Sequence, residues 1–500
     1  MPDPALLRRA HPLSIIRYLG RFLFLLVVPF LRGFLSALTG GFIAWLSGAW
    51  IDLLVILSIL ALAYLKWYKF KYYMCKDLFY YTNGIVFYQQ TCIPLTRISS
   101  FSTQKAFWLR PLRLTKIVID TIALGTKNAD LTFYVRDEEA ARLLEQRLPQ
   151  AEIQSGRLRE FSPGICSLLF LSLFTSNSLL GVLLLSTFIS QAGQLLGDEL
   201  SYTLISSLES LSQKLAVELP SLTYHLTAGM VVVKIPPIAA GVALVLLAGW
   251  LVAFLVNLLQ ARKLSTRRTD SFLCLQAGTF VFKTFCIKLS DICFLDIRQS
   301  LVTRLFRLYS VYINAIGLGK EKSDIAAIIP FASRQRVFDQ LTRLMPEYFP
   351  SPRTIRPNLA AIFKFILQPL LICALVPAVT FLGIFLLPRW DAIFYFAGFM
   401  GMLPAIWFLG VRIIDFCSSG VSKEGTIFTI RYSKLFYLHT VIFSEEQLMM
   451  VNIRQSILQR RRDKCDLLIS TRAEGRYRHH LRNLDRKACI ALFGASPPET

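Results

Sequence analysis

Three consecutive arginines, Arg460, Arg461 and Arg462, are the residues of this chain best placed to do chemistry. They lie in NIRQSILQRRRDKCDLLIST at 452–471. A local charge of this kind binds anions: lipid phosphates, at on the order of 1 kcal/mol per basic residue beside an anionic bilayer, or the carboxylates of an acidic partner. The same cluster also reads as a solvated basic turn. The residues just before it, Ile453, Arg454, Gln455 and Ser456, recur as Ile297, Arg298, Gln299 and Ser300, and an arginine follows both at the same offset (Arg460 and Arg304). Arg267 and Arg268 form a second basic pair, directly after a long apolar run, and are candidates for the same kind of lipid or partner contact.

Catalytic patterns are missing. The sequence has no GxSxG, P-loop, HExxH or dinucleotide-binding glycine motif. His11, His225 and His439 are scattered, and the adjacent His479 and His480 in a basic stretch read as a surface turn. The ten cysteines include no CxxC pair, and Cys286 and Cys293 are too isolated for a zinc site. Reduced structural thiols are therefore expected, with no metal, no cofactor and no enzymatic activity.

The elements that position these arginines follow from composition. The 500 residues are 54% hydrophobic, with 38 Phe and only 17% charged residues, a balance that points to an integral membrane protein. A net charge of +23 then reflects Lys and Arg on cytoplasmic flanks rather than nucleic-acid binding. Apolar runs near 165–189, 237–259, 361–387 and 391–411 are each long enough to span a bilayer, and 13–65 has room for two more, with Arg32 and Asp52 as boundary residues. About six transmembrane helices in three pairs result. Between residues 160 and 261 there is no arginine, while basic residues crowd the other flanks. That bias places both termini in the cytoplasm and the loop 191–230, with Leu200, Leu204, Leu208, Leu211 and Leu215 at helical spacing, outside.

Three polar segments follow the three pairs, giving a division into 1–65, 66–150, 160–259, 260–348, 359–411 and 412–494. The first two polar segments align without gaps, Gly84 with Gly278, Ile93 with Ile287, Arg113 with Arg307 and Ile119 with Ile313, and the third joins through the shared tetrapeptide. Strands are expected at 84–88, 95–98 and 116–120, then a helix at 137–148 with Asp137 as N-cap and Ala140, Leu143, Leu144 and Leu148 on one face. Its counterparts fall at 333–345 and 484–493. Each segment is thus a small α+β module, or a barrel plugged at one end.

A helix pair followed by a short-stranded module with Ile93-Pro94-Leu95-Thr96-Arg97-Ile98, and by Gln455-Ser456-Ile457-Leu458-Gln459-Arg460-Arg461 in the last copy, resembles the bacterial pleckstrin-homology (PH) membrane proteins of the YdbS/YdbT type. Three copies with three helix pairs are similar to the longer, YdbT-like members. The first copy departs from the pattern: Gln104 stands one place before the position of Gln299, and Ala106 replaces the serine. In the second copy Thr303 stands where the third has Gln459. The resemblance implies three cytoplasmic PH-like barrels or sandwiches, each closed by a C-terminal helix, on a multi-pass protein of the bacterial inner membrane. It implies a non-enzymatic interaction or assembly platform that contacts membrane lipids and a shorter one-module relative. The alternative is a transporter or export-accessory component whose helices carry a substrate path. Scarce transmembrane charge argues against that path.

Overall fold

The computed structural model describes residues 7–22, 49–75, 78–121, 131–147, 159–176, 237–316, 327–473 and 477–493, with a short piece at 206–215 and scattered single positions. The first module opens with β1 (Arg8–Arg9), before its helices α1 (Ser14–Phe22) and α2 (Ala49–Lys69). Then come β2 (Lys71–Met74), β3 (Leu78–Asn83), β4 (Gln89–Pro94), β5 (Ile98–Ala106), β6 (Leu114–Thr121), β7 (Leu131–Arg136) and α3 (Asp137–Arg147). The second opens with β8 (Arg159–Phe161), α4 (Ile165–Thr175) and α5 (Pro237–Ala261). It continues with β9 (Ser265–Arg268), β10 (Phe272–Ala277), β11 (Val281–Lys288), β12 (Ile292–Ser300), α6 (Leu301–Leu305), β13 (Leu308–Ala315), β14 (Ala327–Ser333) and α7 (Arg334–Leu344). In the third, α8 (Ile362–Leu386) and α9 (Asp391–Ser418) precede β15 (Gly420–Glu424), β16 (Ile427–Lys434) and β17 (Tyr437–Ser444). It ends with β18 (Leu448–Arg454), α10 (Ile457–Arg460), β19 (Lys464–Thr471), β20 (Tyr477–Asp485) and α11 (Arg486–Phe493).

Each module is a β-sandwich. In the first, Phe70, Tyr72 and Phe79 on one side meet Phe101, Ile119 and Phe133 on the other, with Ala140 and Leu143 of α3 in the same core. Along β7 the inward residues Leu131, Phe133 and Val135 alternate with others, as the pleat requires. Ile119, Ile313 and Ile469 occupy equivalent strand positions, and all three are buried in their module's core.

Several expected boundaries move. Residues 84–88 form a hairpin turn, not a strand. Gly84 has φ +124°, and a Cβ there would lie 1.8 Å from the Phe87 carbonyl oxygen; Gly278 repeats this at φ +113° and 2.0 Å from the Val281 oxygen. Only glycine tolerates such a position. Residues 95–97 form a 3₁₀ turn that carries the chain from one sheet to the other, as do Leu289–Asp291 and Glu445–Gln447. Asp137 is the first residue of α3 rather than its cap, and Leu148 lies outside the described residues.

The helix pairs are insertions within the modules rather than leaders to them. Arg8 and Arg9 pair with β2, β8 pairs with β9, and Ile355 bridges Val421, so the opening stretch of each sheet lies before the helices. Residues 8–9 and 159–161 therefore belong to the sandwiches, and α9 runs to Ser418 rather than ending at 411. Among the described residues three helical stretches, Gly241–Ala261, Leu359–Leu386 and Ile393–Ser418, are long and apolar enough to cross a membrane. They expose large apolar side chains, with Phe363, Phe381 and Phe385 all more than 70% accessible. In α8 and α9, Gly398 allows close approach to Thr380 and Gly383 to Phe394. Against six expected spans, α2 is long but carries Asp52, Lys66 and Lys69, and α4 describes only the start of 165–189. Most of 13–48 and of the loop 191–230 lie outside the described residues.

The modules are joined by their sheets. One seven-stranded sheet runs β7-β6-β5-β11-β10-β9-β8, and a six-stranded sheet runs β14-β13-β12-β17-β16-β15. The second half of one sandwich thus continues, strand to strand, into the first half of the next. The register is the same at both junctions: Ala106 faces Val281 at the first and Ser300 faces Tyr437 at the second, counterpart pairs in the repeat. Within the seven-stranded sheet Cys274 and Cys286 are direct cross-strand neighbours and form a disulfide, correcting the expectation that all ten thiols are free.

Candidate functional site

The repeated tetrapeptide is a loop clamp. β18 ends at Arg454, and the chain then turns through α10 before β19 returns antiparallel. The Gln455 side-chain amide donates to the Lys464 carbonyl at 2.8 Å, tying the two ends of the loop together. Ser456 caps α10: its hydroxyl accepts from the Gln459 N–H, and the Gln459 side chain accepts from the Ser456 N–H at 2.9 Å. This reciprocal capping box satisfies two donors that a one-turn helix would leave unpaired. The second copy uses the same device: Gln299 donates to the Leu308 carbonyl at 3.0 Å, and Ser300 exchanges bonds with Thr303. In the first copy Ala106 occupies the cap with no side-chain bond, and Gln104 accepts from Lys116 instead. Arg113, Arg307 and Asp463 all close the loop with positive φ, 53°, 54° and 51°.

Arg460, Arg461 and Arg462 stand fully on the outside of this loop. The Gln459 amide also donates to Asp466 at 2.8 Å, and Lys364 reaches the same carboxylate at 2.7 and 2.8 Å. Burial pushes the Asp466 carboxyl up, but bonds from His480, Lys364, the Asn483 N–H and Gln459 outweigh it and hold the group well below the usual carboxylate range. Lys364 is in the first turn of α8. The arginine loop is therefore fastened to one end of an apolar span.

The other basic pair is different. On β9 alternate residues point inward, so Arg268 is buried while Arg267 is exposed. Arg268 forks onto Glu347 at 2.5 and 2.8 Å and donates to the Leu344 carbonyl. That hydrogen bonding to Arg268 holds the Glu347 carboxyl low. Arg268 fastens the end of α7 and is not a surface contact; Arg267 meets Glu160 at 3.1 Å on the surface.

The second junction holds a constellation that sequence patterns do not reveal. Asp296 on β12 is buried, accepts from Arg298 Nε at 2.5 Å and lies 2.9 Å from His439 Nδ1 of β17. Burial pushes its carboxyl up, and His439 and Arg298 together bring it below the ordinary value. The Arg298 guanidinium also lies 4.4 Å above the Tyr312 ring. A cavity of about 310 Å³ opens here, lined by Arg298, Gln299, Ser300, Tyr312, Tyr437 and His439 among others. Only the register, which sets Arg298 opposite His439, brings these residues together. His479, expected at a surface turn, is fully buried between the Tyr432 hydroxyl at 2.9 Å and the Thr471 hydroxyl at 3.1 Å. Burial pushes its imidazole down to about 4. His480, the next residue on β20, faces outward. Among the described residues no group of His, Cys, Asp and Glu could hold a metal ion.

Sandwiches of two short sheets, carrying cores that include a C-terminal helix, define the chain as a set of PH-like modules. The model of the bacterial PH domain family matches residues 18–151 and 216–345, together just over half of the sequence, and the chain belongs to that family. No curated protein and no solved structure matches it. The third module lies outside the matched residues. Its equivalence rests on the shared strand order, the clamp at 453–456 and the common junction register.

Proposed function

We propose that this is a non-enzymatic membrane protein of the bacterial envelope, of the longer YdbT-like type, that presents its three PH-like modules as one interaction platform along the inner face of the membrane. Three apolar helices and basic flanks support the placement, with both termini cytoplasmic. The observation that carries the reading is the chain of contacts from Gln459 through Asp466 to Lys364, which sets three exposed arginines at the end of an apolar span. There they meet anionic headgroups, and the continuous sheets keep the modules from swinging independently. A shorter one-module relative is a suitable partner. The buried charges Arg412 and Asp415 near the end of α9 favour this reading over a transport path, because they bond each other and Ser433 of β16. They join helix to module.

The full-length chain in nanodiscs with and without anionic lipid provides the test. Hydrogen exchange across 457–463 should slow with anionic lipid, and replacing Arg460, Arg461 and Arg462 by Gln, or adding salt, should remove the effect. Equal exchange in neutral and anionic discs would sink the lipid contact.

A further inference from the structure

The two junctions leave two unmatched ends. Strands β4, β11 and β17 are counterparts in the three modules, as are β5, β12 and β18. Two of the first set pair with the preceding module, and two of the second set pair with the following one. What remains among the described residues is β4 at the start of the row and β18 at its end, each bonded on one edge only.

Both free strands are short at the place where a neighbour would extend them. β12 runs on to Ser300, and its last two residues, Gln299 and Ser300, pair with Leu438 and Tyr437 of the next module. β18 stops at Arg454, two residues before the counterpart Ser456. Likewise β11 and β17 begin at Val281 and Tyr437, whereas β4 begins at Gln89, two residues after the counterpart Phe87. The missing ladder positions are those that a neighbouring module supplies elsewhere.

The side chains at these ends match as well. At the first junction Phe280 packs edge-on against Phe107 with ring centres 6.1 Å apart. The repeat places Val86 at the position of Phe280 and Ile457 at the position of Phe107. Val86 is 84% exposed, Phe87 88% and Ile457 83%. In the formed first junction their counterparts Phe280, Val281 and Phe107 are 55%, 37% and 61% exposed, so the unpaired ends leave more apolar surface accessible than the paired ones do. The same correspondence puts Arg460 where Arg110 donates to the Thr279 carbonyl across the first junction.

We infer that β18 of one copy of this chain pairs antiparallel with β4 of a second copy, repeating the internal junction between molecules. The internal register dictates the contacts: Ser456 opposite the second copy's Phe87, Arg454 opposite its Gln89, and Val451 opposite its Cys92. The contact is heterologous, so copies add head to tail into rows or closed rings. In both internal junctions the helix pairs precede the same strands, so an incoming copy carries its helices in the same relation to the row. The pairing needs only the repeat and not the lipid contact, so the two ideas fail separately.

Cross-linking of the full-length chain in native membranes tests it. Cys92 is free and exposed. Val451→Cys should give, under mild oxidation, disulfide-linked species at multiples of the chain mass, and adding Cys92→Ser should abolish them. Asn452→Cys, one residue out of register, should cross-link several-fold less. Phe87→Glu and Ile457→Glu alter fully accessible side chains and should shift the detergent-extracted protein to smaller assemblies without loss of abundance. Cross-linking that is independent of Cys92, or adducts with a protein of another mass only, would overturn the pairing of two copies. So would assemblies unchanged by both glutamates.

Discussion

The clamp formed by the repeated tetrapeptide makes the most quantitative prediction. Gln455→Ala removes one neutral side-chain bond to a half-buried carbonyl, at a cost of about 1 kcal/mol. Ser456→Ala removes the cap of α10, about 1 kcal/mol more. The two neighbouring residues make separate bonds, Gln455 across the loop to Lys464 and Ser456 to the start of α10, so the double variant should favour local opening by about 2 kcal/mol, roughly a thirtyfold change. Hydrogen exchange of the amides of Gln459, Arg460 and Asp463 reads this directly, because each bonds within the loop. The reverse experiment uses the first module. Ala106 has φ −70° and ψ 152°, an extended cap conformation like that of Ser300 and Ser456, but no side chain to use it. Ala106→Ser should therefore slow exchange in 107–110, with a gain of about 0.5–1 kcal/mol. Less than a threefold change in the double variant, together with none in Ala106→Ser, would show that the loops are held by other contacts and that the shared tetrapeptide is not a clamp.

Ile119→Asp, Ile313→Asp and Ile469→Asp each bury a carboxyl in an apolar core and should cost about 4 kcal/mol or more, seen as lost abundance and protease resistance; normal behaviour of all three would mean the core assignment is wrong. His479 supplies a pH dependence: the unfolded chain binds a proton on this residue below about 6.5, whereas the folded one does so only near 4. Stability of the third module should thus fall by about 3 kcal/mol as pH drops through that window. His479→Gln should flatten the melting-temperature profile there, and an unchanged slope would rule the residue out. For orientation, Ile457→Cys should react with an impermeant thiol reagent only after lysis, and Leu211→Cys in intact cells; early labelling at 457 would invert the topology.

What could be read in advance is what local chemistry repeats. Gly84 with Gly278, Arg113 with Arg307 and Ile119 with Ile313 recur at one spacing, and each copy ends in an amphipathic helix, so the modules and their inward isoleucines were legible in the residues themselves. The turn at 84–88 reads as a strand because its apolar run is taken without the conformation of Gly84. Arg268 and His479 were misplaced because strand alternation decides which of two neighbouring polar residues faces inward, and that phase depends on where the strand begins. The Asp296, Arg298 and His439 cluster was invisible for a stronger reason: its members meet only through a pairing between strands of different modules. The opening strands were hidden in the same way, since a helix pair separates each of them from the sheet it joins.

Ladder pairing between modules also constrains what the ends of the row can be. A repeat that binds its neighbour through exposed backbone must either blunt its terminal edges or use them. Blunting takes charge, proline or a covering segment. β4 offers Gln89, Gln90, Thr91 and Cys92 with proline only as its last residue, and β18 exposes Met449 and Met450. Neither carries an inward-pointing charge, and the only basic residue of β18, Arg454, takes the position that Arg298 holds inside the formed second junction. The edge chemistry of both ends is thus that of strands open to pairing, and the arginine loop follows directly on β18.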